Sequence, residues 1–161
     1  MNEKEQIEKA IAEEFLEVYN SEFNKSFTIQ MISDKPDIIC ADCNGEKFNL
    51  EITMTEDRSG DIKALLGRSD HKNLEYIKIH GMGPASELNG NVINNVCKRI
   101  LDKMNKDYGM KVALVLRDTS GVGWDWDFVI DDIKNRVTGL KNPFDLGIWI
   151  LSPKKEIYRI I

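Results

Sequence analysis

Five apolar residues in succession, Val112-Ala113-Leu114-Val115-Leu116, stand between Lys111 and Arg117. A strand with no polar alternation has to be covered on both faces, which is the condition of a central strand in an α/β sheet. The covering layers are legible beside it. Val92, Ile93, Val96, Cys97, Ile100, Leu101, Met104 and Tyr108 recur at helical spacing, and Gly109 follows as a C-terminal cap. From Glu3 to Tyr19, Ile7, Ala10, Ile11, Phe15 and Val18 mark a second amphipathic helix. Between these helices lie three β-like runs, Phe27–Ile32, Pro36–Cys43 and Lys47–Met54. A short helix over Trp126–Val137 and two strands, Leu146–Leu151 and Glu156–Ile161, complete the chain. The order α-β-β-β-α-β-α-β-β predicts an α/β fold, a mixed sheet flanked by helices in one domain over 1–161. Glu56–Glu87 is polar and rich in glycine and predicts an irregular segment. The Gly/Trp-rich stretch Ser120–Asp125 reads as a loop, with Asp125 as the cap of the helix that follows.

Composition narrows the function classes. With 161 residues, 42% of them apolar, the chain can bury a substantial core. No run of about 18 apolar residues is present and Met1–Glu5 lacks the layout of a secretory signal, so no membrane span and a cytoplasmic location are expected. Cys40, Cys43 and Cys97 are read as reduced core thiols rather than a disulfide framework or a zinc site. A formal charge of −5 argues against a high-capacity, sequence-blind nucleic-acid binder. It leaves room for a hydrolase that needs carboxylates of its own. No phosphate-binding P-loop, dinucleotide glycine motif or Ser/Cys-His nucleophile signature occurs. His71 and His80 read as loop histidines, and Trp124 and Trp126 as packing anchors.

Three carboxylates stand out. Helical geometry of about 100° per residue sets Glu14 among Ile7, Ala10 and Val18, in the middle of the expected apolar stripe. There it needs a cation, a hydrogen-bonding partner or a raised pKa; the alternative is that the helix rolls and leaves Glu14 at a solvated edge. In the hairpin, a three-residue turn Asn44-Gly45-Glu46 puts Ile38, Cys40, Phe48, Leu50 and Ile52 on one face, with Asp37, Glu51 and Thr53 on the other. That register sets Asp37 opposite Thr53 and diagonal to Glu51.

Pro36-Asp37, a hairpin, then Leu50-Glu51-Ile52-Thr53, after a helix carrying Glu14, resembles the PD-(D/E)XK restriction-endonuclease-like nuclease superfamily. The resemblance covers about the first 55 residues well and the later units loosely. It implies a metal-dependent phosphodiesterase acting on DNA or RNA, with Asp37, Glu51 and the Ile52 carbonyl holding Mg²⁺ or Mn²⁺ and Glu14 binding a second ion or a metal water. Thr53 stands where the motif has its lysine. In this superfamily the lysine can be supplied from a neighbouring helix, and Lys103, at the margin of the Val92–Tyr108 stripe, is the candidate. Thr53 and the acidic charge equally suit a nuclease fold without catalysis, binding nucleic acid or a protein partner, as in bacterial conflict or defence systems.

Overall fold

The computed structural model describes residues 1–55, 85–119 and 125–161, the backbone alone for 85–91. Within them the elements are α1 (Glu3–Phe23), β1 (Thr28–Ile32), β2 (Ile38–Ala41), β3 (Asn49–Met54), α2 (Ala85–Met104), β4 (Val112–Arg117), α3 (Trp126–Val137), β5 (Ile148–Leu151) and β6 (Ile157–Arg159). The strands form one six-stranded mixed sheet in the order β1-β2-β3-β4-β5-β6. β3, β4 and β5 are mutually parallel, and the flanking pairs are antiparallel.

The uninterrupted apolar run becomes β4, and alternation along it feeds two cores. Ala113 and Val115 join Ile7, Ile11, Phe15 and Leu16 of α1, while Val112, Leu114 and Leu116 join α2 and α3. The sheet is therefore covered on both faces. β3 behaves differently, since Leu50 and Ile52 enter the α1 core but Asn49, Glu51 and Thr53 face the other way. On the α2 side, a row of polar residues thus sits beside an apolar strand.

Local signals explain several boundaries. Asn2 caps α1 by accepting from Glu5 N at 2.8 Å, and the Glu5 carboxylate accepts from Asn2 N in return. At the far end, Asn20 donates to the Phe27 carbonyl and accepts from Phe27 N, tying α1 to the start of β1. α2 begins at Ala85 and ends at Met104, so the expected Val92–Tyr108 helix is shifted toward its N-terminus, and 85–87 are helical rather than irregular. The turn after it is closed by the Asp107 carboxylate, which accepts from Gly109 N. Asp125 occupies the N-cap of α3 without a side-chain hydrogen bond, and Trp126 is fully buried as a packing anchor. Cys40 and Cys97 are buried free thiols; Cys43 is exposed in the hairpin turn and is not a core residue. No described helix is long and apolar enough to cross a membrane. Residues 56–84, with His71 and His80, and residues 120–124, with Trp124, lie outside the described residues.

Candidate functional site: a buried carboxylate pair with a helix lysine

The β2–β3 hairpin sets the site. Ile38 pairs with Leu50 and Ala41 with Lys47. Asp42 N donates to the Glu46 carbonyl, and the Asp42 carboxylate accepts from both Asn44 N and Glu46 N. The turn is therefore Cys43-Asn44-Gly45, one residue earlier than expected, with Gly45 at φ +81° in the left-handed conformation that glycine adopts without strain. A three-residue turn keeps the expected parity, so Asp37 and Glu51 still share a face. Its position moves the register by two residues, however, and Asp37 lies directly opposite Glu51 rather than opposite Thr53. The reason is the Asp42 side chain, which holds the turn around itself.

Across that pair, side chains and backbone interlock. Asp37 N donates to Glu51 Oε1 at 3.2 Å, and Ile52 N donates to Asp37 Oδ2 at 2.8 Å. A strand residue in an antiparallel pair directs its N–H and C=O to the same neighbour. Since the Ile52 N–H points to the β2 side, the Ile52 carbonyl points there too.

Both carboxylates are removed from water, Asp37 at 6% exposure and Glu51 at 3%. Lys103, in the last turn of α2, reaches across and places Nζ 2.8 Å from Glu51 Oε2. Tyr108 holds that turn, its hydroxyl donating to the Lys103 carbonyl at 2.9 Å. The Asp37 carboxyl is pushed up to about 8, chiefly by burial and then by the neighbouring Glu51, against the Ile52 N–H and Lys103. Tyr108 is likewise raised, by burial first and then by Glu51 and Asp37. Thr53 lies on the same face, buried, in register with Leu116.

Comparison of the chain with protein-family models, curated proteins and solved structures finds no match.

Glu14 is not brought to the pair. Its carboxylate accepts from Arg117 Nε at 3.2 Å. Arg117 is three residues beyond Leu114, the β4 residue level with Glu51, and so falls on the opposite face of the sheet. The cation that the sequence demanded for Glu14 is an arginine. The helix glutamate that the pair does feel is Glu8, 8% exposed. Burial raises its pKa, with Glu51 adding to the rise, while Lys4, 3.6 Å away, and Lys103 oppose it. The buried face of α1 is Ile7, Glu8, Ile11, Ala12, Phe15 and Leu16, whose centre lies within about 10° of Glu8 and about 110° from Glu14. Ala12 and Leu16, absent from the expected stripe, were the signal that would have found it.

Among the described residues, no group of three or more His, Cys, Asp or Glu side chains is gathered to hold a metal ion. What Asp37, Glu51 and the Ile52 carbonyl offer is a hard-oxygen set of two carboxylates and one backbone oxygen. That set is too small to enclose calcium, has no nitrogen or sulfur for zinc, and fits a cation that retains much of its water, such as Mg²⁺ or Mn²⁺. Burial is the main cause that raises both Asp37 and Glu8, so an ion held here would favour their charged forms.

Proposed function

We propose that the chain is a metal-dependent phosphodiesterase of the PD-(D/E)XK nuclease type, acting on DNA or RNA. The observation that carries the reading is the buried Asp37–Glu51 pair, interlocked by hydrogen bonds between the residue before β2 and β3, with a lysine delivered from α2 to Glu51. Asp37, Glu51 and the Ile52 carbonyl would hold Mg²⁺ or Mn²⁺. When bound, the ion would supply stabilisation of the charge that develops on a phosphodiester.

The chain's own groups have separate tasks. Ile52 N and Asp37 N orient the two carboxylates, fixing both without a flexible side chain between them. Lys103 contributes the ammonium that Thr53 cannot, and its long stem lets the charge reach the β3 face from a neighbouring helix. Glu8 adds a third carboxylate within electrostatic reach, in the place that Glu14 does not take.

Incubation with single- and double-stranded DNA and RNA in Mg²⁺ and in Mn²⁺ tests this reading. Cleavage by the wild type is expected. Glu51→Gln and Asp37→Asn should lose it with the metal, and Lys103→Ala should lower the rate by about 10²–10³-fold, as removal of one charge-stabilising donor does elsewhere. Wild-type inactivity on every substrate in both metals would overturn it. A second reading would then hold, favoured by Thr53 in the lysine position and by the charge of −5: a nuclease fold without catalysis that binds nucleic acid or a protein partner.

A further inference from the structure

Glu51 is a buried carboxylate whose two oxygens are both engaged, Oε1 by Asp37 N and Oε2 by the Lys103 ammonium. A carboxylate out of water needs a counter-charge, and Lys103 supplies it at 2.8 Å. The two ends of that pair differ in freedom. The Glu51 side chain is 4% exposed and fixed in the centre of the sheet, whereas the Lys103 side chain is 23% exposed and ends in a point charge on a four-carbon stem. Among the described residues, Glu51 is the acceptor that the Lys103 ammonium has. The lysine can therefore withdraw toward water, and Glu51 cannot follow it.

We infer that Lys103 is a tethered counter-ion occupying the position of a divalent cation at Glu51, so that metal binding and the Lys103–Glu51 ion pair compete. The inference rests on the metal-site reading of Asp37 and Glu51. Two cations on one carboxylate repel strongly in a partly buried setting, so an ion entering between the carboxylates has to displace the ammonium from Oε2. The same movement would free the lysine for a substrate phosphate. In the metal-free protein the site is neutralised and closed; with metal it is charged and its lysine is released.

Calorimetric titration of Mn²⁺ into the wild type, Lys103→Gln and Lys103→Arg tests the competition. Glutamine can still donate a hydrogen bond to Glu51 but carries no charge, and about a tenfold or greater gain in Mn²⁺ affinity is expected. Arginine keeps the charge and should bind no more tightly than the wild type. Binding by Lys103→Gln with a silent wild type also supports the inference. Equal or weaker binding by Lys103→Gln, or equal gains in both variants, overturns it while leaving the metal site standing. No Mn²⁺ binding by any of the three overturns both. Should Lys103→Gln fail to fold, nitrogen-15 NMR of the lysine ammonium groups in the wild type replaces it. Saturation with Mg²⁺ is expected to shift the Lys103 signal from a carboxylate-bonded to a solvated position, and an unchanged signal overturns the inference.

Discussion

Asp37 is held where its protonated form is favoured. Burial is the largest cause and Glu51 the second, and against the Ile52 N–H and Lys103 its carboxyl moves from an ordinary 3.8 to about 8. Its favourable contribution to stability is whole below pH 3.8 and is lost as pH rises through about 8, because between those values the unfolded chain releases a proton that the folded chain retains. Asp37→Asn keeps an oxygen for the Ile52 N–H and cannot ionise. In chelator, the melting temperature of the wild type should fall relative to Asp37→Asn as pH rises from about 4 to about 8, and the gap should level off beyond that. Thermal melts across that pH range check it, and a gap independent of pH would contradict the burial of a titrating Asp37. At this scale the sequence was informative. The alternation of Ile38, Cys40, Phe48, Leu50 and Ile52 admits only an odd turn, and that alone puts Asp37 and Glu51 on one face. It does not say which odd turn, because Cys43-Asn44-Gly45 and Asn44-Gly45-Glu46 have equal parity. The Asp42 carboxylate decided between them.

An element carries a residue to the site only if its own position is fixed, and α2 shows how. Its last turn delivers Lys103, and the Tyr108 hydroxyl ties that turn down by donating to the Lys103 carbonyl while its ring stacks on Phe144 at 5.0 Å. Tyr108→Phe keeps the stack and removes the hydrogen bond. It should cost about 1 kcal/mol in urea denaturation, and it should lower any metal-dependent cleavage more than it lowers Mn²⁺ affinity, since the ligands on β2 and β3 are untouched. The apolar periodicity of this helix was enough to place Lys103 at its margin, and its side chain reaches the sheet. The same method misled for α1. Ala10 and Val18 suggested a stripe through Glu14, whereas Ala12 and Leu16 are the buried residues and the helix is rolled by about 70°. Small residues such as Ala10 and Ala12 weigh alike in a sequence count, and only packing against Phe48 and Trp149, which Phe15 meets, distinguishes them.

Across the whole molecule each face of the sheet has a helix tied to a strand by an ion pair: Glu14 of α1 to Arg117 of β4 on one side, Lys103 of α2 to Glu51 of β3 on the other. Both pairings join residues far apart in the chain, which periodicity cannot reveal; the need of Glu14 for a cation was legible, and the identity of that cation was not. Glu14→Gln leaves Arg117 mostly buried without its counter-charge and should destabilise the protein by about 1–3 kcal/mol. Because the pair lies behind the sheet, Mn²⁺ affinity should stay within about twofold of the wild type, well under the tenfold that 1.4 kcal/mol represents. Denaturation and calorimetry on that variant separate the two effects, and a large loss of Mn²⁺ binding would return Glu14 to the site. β3 is hydrogen-bonded between β2 and β4, so its backbone amides trade their protons with solvent only when the sheet itself opens. The Ile52 amide is an exception, held by the Asp37 carboxylate rather than by a backbone carbonyl. Its rate of deuterium uptake consequently follows the orientation of one side chain rather than the opening of the fold, and a single backbone signal reports the state of the site.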